Sequence, residues 1–235
     1  MRYIVGLLIL VISLLLDLTR IDVGNEFLCG ADVLRNQLGS FSFLWAVIVP
    51  LIIVHQKVIE KSFKYQYIIR SNSWWAILKR QLLVLGITSA VISLTYIVFV
   101  IVYCKVNGIV LYNWNIYDSM FCLITQKQLN VDGFVIYAYA FLCIFLRCFL
   151  INNILLIFNW TFENGILGIL IVLAAVFCEA ILGIKIICRV FVFNYDIWYK
   201  AGERMASVIQ SIIYVVIILM TYKYLLSRKE KKQID

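Results

Sequence analysis

Long apolar runs restrict this chain more than any other feature of its sequence. A helix needs about 20 apolar residues to cross the hydrocarbon core of a bilayer. Six runs reach or approach that length, and they lack the alternation at every second residue that marks a membrane β-barrel strand. The sequence therefore predicts an all-α membrane protein with six transmembrane helices, near residues 3–18, 41–56, 82–104, 134–158, 165–184 and 206–226.

Composition excludes the other structural classes. The chain is 64% hydrophobic and 14% charged, whereas a soluble domain is roughly half apolar and about a quarter charged. A disordered chain would be poor in Ile, Leu, Val and aromatic residues, which are abundant here. We therefore expect one transmembrane domain over residues 1–235.

The two N-terminal runs need separate arguments. Residues 3–16 could form the apolar core of a signal peptide, but residues 17–20 offer no small-x-small cleavage site, so we expect a retained first helix. The run at 41–56 is the weakest and contains the only proline, Pro50. Membrane helices tolerate proline where neighbouring groups satisfy the freed carbonyl, so we expect a kinked second helix.

Basic residues predict the orientation. With six spans and the N-terminus inside, the inner segments hold 12 Lys and Arg in 47 positions and the outer segments 8 in 71. Because cytoplasmic loops are enriched in basic residues, both termini are predicted inside. The net charge of +8 then reflects topology and contact with anionic membrane lipid, and nucleic acid is not expected as a partner.

The predicted inner loop at residues 55–80 has the pattern of an amphipathic helix. Ile59, Phe63 and Tyr67 recur every four residues beside a charged face. Ser73 is placed to cap the next helix, whose first residues are two tryptophans suited to headgroup depth. An ordinary basic loop with lysines reaching toward the interface explains the same pattern. The charged face comprises Lys57, Glu60, Lys61 and Lys64. Arg70, Trp74 and Trp75 complete the candidate residues of this loop.

A second unusual segment, residues 185–205, precedes the last predicted span. It is too apolar for a free outer loop, is rich in aromatic residues and carries Lys185, Arg189 and Asp196. We expect a short helix pair that enters the outer leaflet and returns. The alternative is a long, tilted fifth helix that continues to about residue 193.

Two ionisable residues lie at membrane depth. Arg147 is near the middle of the fourth span and Glu179 is in the outer half of the fifth. Facing lipid would cost each of them at least a few kcal/mol. Their antiparallel helices place them within roughly 5–10 Å in depth. We predict that they pair or line a shared polar cavity, and an ion pair that only packs two helices fits equally well. Asn152 and Asn153 are expected to hydrogen-bond between helices.

Sequence motifs for catalysis, nucleotide binding and metal binding are absent. The chain contains no G-x-x-x-x-G-K-[ST], G-x-G-x-x-G, G-x-S-x-G or H-E-x-x-H. Its seven cysteines include no C-x-x-C pair, and one histidine cannot complete a usual metal site. We therefore expect no catalytic residue, metal or cofactor in this chain. Cys104 and Cys122 flank one predicted outer loop and Cys29 lies on the same side, so one disulfide could form among them.

The order of these features along the chain resembles that in the permease subunit of a type-2 ABC exporter. The stretch IIRSNSWWAILKRQLL is similar to the segment that leads into the third helix of small permeases associated with bacteriocin or lantibiotic export and immunity. The resemblance implies a pair of permease subunits, identical or sister, and a separate cytoplasmic ATPase that binds ATP and Mg. It assigns ATPase coupling to the region from Lys57 to Arg80, and the outer gate to Lys185, Arg189, Asp196 and Trp198.

On this reading the chain exports an apolar or amphipathic cargo, such as a bacteriocin-like peptide or a lipid. One alternative is a non-catalytic membrane protein that confers immunity or assists assembly, because it would share every feature above. An integral membrane enzyme is a weaker alternative, because it needs paired catalytic groups at one depth. Abundant Ile, Lys, Asn and Tyr with little Ala or Pro are typical of an AT-rich genome, so we expect a bacterial cell membrane.

Overall fold

The computed structural model describes residues 11–13, 27–62, 73–162, 165–183, 187, 191 and 193–234. These ranges contain helices and no strand, which confirms the all-α prediction for the described part of the chain. The elements are α1 (Gly30–Gln37), α2 (Ser40–Phe43), a π-helical turn (Leu44–Ile48), α3 (Val49–Ser62), α4 (Trp74–Val106), α5 (Met120–Thr125), α6 (Gly133–Phe162), α7 (Gly165–Leu182), α8 (Asp196–Tyr199) and α9 (Ala201–Ile234).

Four of the described helices, α4, α6, α7 and α9, are long and apolar enough to cross a bilayer. They cover the runs predicted at 82–104, 134–158, 165–184 and 206–226. The chain is therefore a membrane protein with at least these four candidate spans. Helix α4 begins earlier than its apolar run because Ser73 caps it: the Ser73 Oγ accepts a hydrogen bond from the Ala76 N–H at 3.2 Å.

The second predicted run is helical, but its apolar part, Ala46–Gln56, is shorter than a membrane span. A kink at Pro50 stays a prediction. A π-helical turn ends two residues before Pro50, and in it the Val49 N–H donates to the Leu44 carbonyl five residues back. The first predicted span lies outside the described residues except for 11–13, which are helical. The six-span count and the orientation remain predictions.

Helix α6 lies between α4 and α7 and runs antiparallel to α4. The Trp160 Nε1–H donates to Gln81 Oε1 at 2.8 Å, and the Asn152 amide donates to Ser89 Oγ at 3.0 Å. Residues later in α4 thus contact residues earlier in α6, as antiparallel helices require. The first turn of α7 packs closely against α6, because a Cβ on Gly168 would lie 2.9 Å from the Phe158 Cβ.

The helices define two different ends. At one end, residues 27–39, 107–132 and 193–200 pack over the helices, and we call this the capped end. Backbone hydrogen bonds join the first two of these segments: the Gly30 N–H donates to the Val110 carbonyl at 2.9 Å, and the Met120 N–H to the Phe27 carbonyl at 3.1 Å. The opposite end, where α4 begins and α9 ends, is called the basic end below.

Helix α7 ends at Leu182, where Gly183 adopts a φ of +71° that favours glycine. The alternative in which the fifth helix continues to about residue 193 is therefore wrong. Among the described residues after Gly183, one short helix, α8, precedes α9, rather than the expected helix pair. Ile187, Phe191 and Phe193 in this stretch are buried in the protein instead of facing lipid.

Three cysteines considered for a disulfide, Cys29, Cys104 and Cys122, are free thiols. Cys29 and Cys104 are buried and Cys122 is half-buried. No disulfide therefore joins these three residues, and they pack as small apolar side chains.

Gly30 marks a close approach between segments of the capped end. A Cβ at this position would overlap with the Tyr137 hydroxyl and lie 3.2 Å from the Cys104 Sγ. We expect Gly30→Ala to lower the free energy of unfolding by about 1–3 kcal/mol, the usual cost of overpacking. The measurement is the midpoint of thermal unfolding in detergent.

Gly202→Ala is the matched control, because a Cβ there meets nothing within 4 Å. Gly202 lies in the first turn of α9, where alanine favours the helix, so no loss of stability is expected. Equal unfolding midpoints for the two variants would contradict the close approach at Gly30.

Candidate functional site

Arg147 is almost completely buried in the middle of α6, with 2% of its surface exposed. Its Nε–H donates to the Phe191 carbonyl at 2.9 Å, and its Nη1 donates to the Leu38 carbonyl at 2.8 Å. The guanidinium also lies 5.2 Å from the centre of the Phe43 ring. Arg147 therefore joins two backbone segments that are not helical, one after α1 and one after α7.

Glu179 is fully buried near the end of α7. Its Oε2 accepts a hydrogen bond from the Ile187 N–H at 3.2 Å. Ile187 and Phe191 belong to the same non-helical stretch, so both ionisable residues hold one segment. Arg147 binds a carbonyl and Glu179 binds an N–H, as the charge of each requires.

This arrangement explains how non-helical backbone is accommodated beside the membrane helices. Backbone N–H and C=O groups at membrane depth are tolerated only where protein or water satisfies them. Here Arg147 and Glu179 supply charged partners to this backbone, and Ile187, Phe191 and Phe193 are buried. We refer to the described residues before α8, namely Ile187, Phe191 and 193–195, as the anchored segment.

The prediction that Arg147 and Glu179 pair or line a shared polar cavity stays a prediction. The hydrogen bonds of Arg147 go to main-chain carbonyls, whereas Glu179 binds the Ile187 N–H. The Asn152 and Asn153 predictions are confirmed, because Asn152 bonds to Ser89 and Asn153 accepts from the Tyr222 hydroxyl at 2.7 Å.

Asp32 organises the capped end and was not identified from the sequence. Its side chain is 1% exposed. Oδ1 accepts from the Trp114 indole N–H at 2.8 Å and from the Tyr195 hydroxyl at 2.6 Å, and Oδ2 accepts from the Cys29 N–H at 2.9 Å. One carboxylate therefore binds a group from each of the three segments of the capped end. The only sequence signal was its place three residues after Cys29, where an acidic side chain can bond back to the cap.

Burial and the Asp32 charge also raise the pKa of two neighbouring groups. Burial, together with the Asp32 carboxylate, raises the pKa of the Cys29 thiol far above its usual value. The same two causes raise the pKa of the Tyr195 phenol. Arg35 lies 4.1 Å from the centre of the Tyr195 ring, which keeps a positive charge near the carboxylate. Cys29 is thus an unreactive thiol in the folded protein.

Trp114 forms the centre of an aromatic cluster above Asp32. Its ring stacks on Phe121 at 4.9 Å and contacts Tyr195 edge-on at 5.3 Å. Trp198, predicted to lie in an outer gate, packs edge-on against Trp114 at 6.2 Å and against Tyr139 at 5.4 Å. This places Trp198 in the packing of the capped end.

Asp196, the other described residue of the predicted gate, lies at the start of α8. Its Oδ1 pairs with the Lys200 ammonium at 2.8 Å and accepts from the Tyr199 hydroxyl at 2.5 Å. The Lys200 and Tyr199 hydrogen bonds lower the pKa of the Asp196 carboxyl below its usual value. Both charges are substantially exposed, so this pair contributes little stability.

The basic end carries the described part of the predicted coupling loop. Trp74 packs edge-on against Trp160 with ring centres 6.0 Å apart, and the Lys229 ammonium lies 5.7 Å from the Trp74 ring. Trp75 is 56% exposed, as expected for a residue at headgroup depth. The side chains of Lys57, Glu60 and Lys61 in α3 are not described, and Lys64, Arg70, Lys185 and Arg189 lie outside the described residues.

Charge is distributed unequally between the two ends. The described side chains of the capped end and of the first turn of α9 include four basic and five acidic residues. Those of the basic end include five basic residues and no acidic residue: Lys79, Arg80, Lys223, Arg228 and Lys229. The described part of the chain holds no group of three or more His, Cys, Asp or Glu side chains that could bind a metal ion.

Comparison of the chain with models of protein families, with curated proteins and with solved structures gives no match.

Proposed function

We propose that this chain is the membrane-spanning permease subunit of an ATP-driven exporter of the type-2 ABC kind. It moves an apolar or amphipathic cargo, such as a bacteriocin-like peptide or a lipid, outward across a bacterial cell membrane. ATP and Mg bind to a separate cytoplasmic ATPase, and a second permease subunit, identical or sister, completes the membrane part.

The anchored segment is the observation that carries this proposal. The described residues between α7 and α8 are non-helical, and Arg147 and Glu179 bond to two of them, Phe191 and Ile187. The segment joins the cap through the Tyr195 bond to Asp32. A shift of α6 or α7 would therefore move this segment, because each helix is bonded to its backbone. Such a connection suits an outer gate that opens when the helices rock.

The basic end supports an ATPase contact. Its described charged side chains are all basic, and it includes the end of the loop at 55–80 that the sequence predicts to contain an amphipathic helix. In this proposal, closure of the ATPase dimer pushes on that helix. The push reaches Trp74, the first residue of α4. Trp74 packs on Trp160 and so passes the movement to α6.

Helix α9 supports assembly with another membrane subunit. Only 6% of its apolar 18-residue window is buried within the chain, against 44% for α6. A helix that is apolar on all sides belongs in lipid or against other helices. We assign one side of α9 to the second permease subunit.

Charge reversal on the predicted coupling helix tests the proposal. We expect Lys57→Glu, Lys61→Glu and Lys64→Glu together to remove most of the ATPase that co-purifies with the tagged chain in mild detergent. The physical reason is that three cations facing an acidic partner become three repelling carboxylates, which mainly destabilises the encounter. Retained ATPase is measured by quantitative mass spectrometry.

The matched control reverses one charge in the capped end and two in the helix turns next to it: Lys127→Glu, Lys105→Glu at the end of α4 and Arg204→Glu at the start of α9. This variant should retain the ATPase at the level of the unchanged chain. If the coupling-helix variant keeps an ATPase bound and active, the coupling assignment is wrong. If the unchanged chain binds only other membrane proteins, the immunity or assembly alternative replaces the exporter.

A further inference from the structure

A cavity of about 140 Å³ opens between α4, α6 and α9 in the basic half of the protein. Its wall is apolar except for Asn153 and two tyrosine hydroxyls, and Asn153 and Tyr222 already bond to each other at 2.7 Å. Residues that line it include Leu82 on α4, Phe149 on α6, and Val215, Ile218 and Leu219 on α9.

The cavity faces the membrane rather than the core. Leu219 and Val215 line it and are 61% and 53% exposed. An apolar cavity of about 150 Å³ can hold a ligand of roughly six carbons. Bilayer acyl chains are the apolar groups present at high concentration beside such an opening.

Two lysines lie one helical turn from the cavity toward the basic end. Lys79 precedes Leu82 by three residues on α4, and Lys223 follows Leu219 by four on α9, so each shares a helix face with a lining residue. Both lysines are exposed. Long lysine side chains reach from a helix end to the headgroup region, where anionic phosphate attracts them.

We infer that the cavity holds one acyl chain of an anionic phospholipid from the leaflet at the basic end, with its phosphate between Lys79 and Lys223. The lipid fills the space between α9 and the α4–α6 pair. Its binding does not depend on whether the chain partners an ATPase, so this inference and the proposed function can fail separately.

The test measures the lipid that stays bound after reconstitution in nanodiscs with equal phosphatidylglycerol and phosphatidylcholine, followed by extraction and native mass spectrometry. The unchanged chain should retain one phosphatidylglycerol. Ile218→Trp should lose it because the new ring fills the cavity, whereas Ile217→Trp should retain it. Ile217 is the matched control, since it is the adjacent isoleucine, is exposed, and does not line the cavity.

A second pair of variants, with the smaller phenylalanine side chain, keeps the test valid if the tryptophan variant does not fold. Val215→Phe should lose the lipid and Val216→Phe should keep it. Lys79→Gln with Lys223→Gln should reduce the preference for phosphatidylglycerol over phosphatidylcholine. The acyl-chain site is overturned if cavity-filling variants retain as much lipid as their controls. The headgroup assignment is overturned if the lysine variant keeps the full preference.

Discussion

Replacing Arg147 by methionine is expected to lower the free energy of unfolding by roughly 2–5 kcal/mol, among the largest losses for one residue of this protein. Methionine fills a similar volume but leaves the Leu38 and Phe191 carbonyls without the donors they have in the folded state. A buried polar group left unpaired costs about 1–3 kcal/mol. The anchored segment should also detach from α6.

Two measurements check this expectation. The midpoint of thermal unfolding in detergent should fall, and trypsin should cleave at Lys200 and Arg204 faster because the preceding segment is released. Arg147→Lys is the informative comparison, because it keeps the charge but replaces a planar fork by a single ammonium. We expect it to be intermediate. If Arg147→Met unfolds and is cleaved like the unchanged chain, the carbonyl contacts do not hold the segment.

Replacing Asp32 by alanine is expected to have a comparable effect at the capped end, with a loss of roughly 3–5 kcal/mol. The change removes the acceptor for three buried donors, the Trp114 N–H, the Tyr195 hydroxyl and the Cys29 N–H. Hydrogen bonds to a charged group are individually stronger than neutral ones. The three segments of the capped end should separate together.

The Cys29 thiol reports this separation directly. It is fully buried and its pKa is raised, so maleimide should label it slowly in the unchanged chain. Labelling should become much faster in Asp32→Ala, measured by mass spectrometry of the Cys29 peptide. Asp32→Asn keeps an oxygen for Trp114 and Tyr195 and should label at an intermediate rate. Unchanged labelling in Asp32→Ala would show that the carboxylate does not organise the cap.

The membrane helices were predictable because their signal is local. The length of an apolar run and the polar residues at its ends located α4, α6, α7 and α9, and Ser73 located the start of α4. The π-helical turn before Pro50 was harder to predict from the sequence. A π-helical turn depends on how the freed carbonyls are satisfied in three dimensions, and residue type alone does not specify this.

The sites were predictable only in part because their partners are distant in sequence. The cost of burying charge indicated that Arg147 and Glu179 need partners, and both have them. Those partners include backbone groups of Leu38, Phe191 and Ile187, and a backbone group has no sequence signature. Asp32 was missed for the same reason, since its donors Trp114 and Tyr195 lie 82 and 163 residues away.

The central claim is that this chain works with a separate ATPase. The most direct measurement is a mild-detergent purification of the tagged chain from its native cell, with every co-purifying protein identified and counted by mass spectrometry. We expect a cytoplasmic ATPase in a fixed ratio to the chain, together with an identical or sister permease. Recovery of the chain alone, or bound only to other membrane proteins, would contradict it.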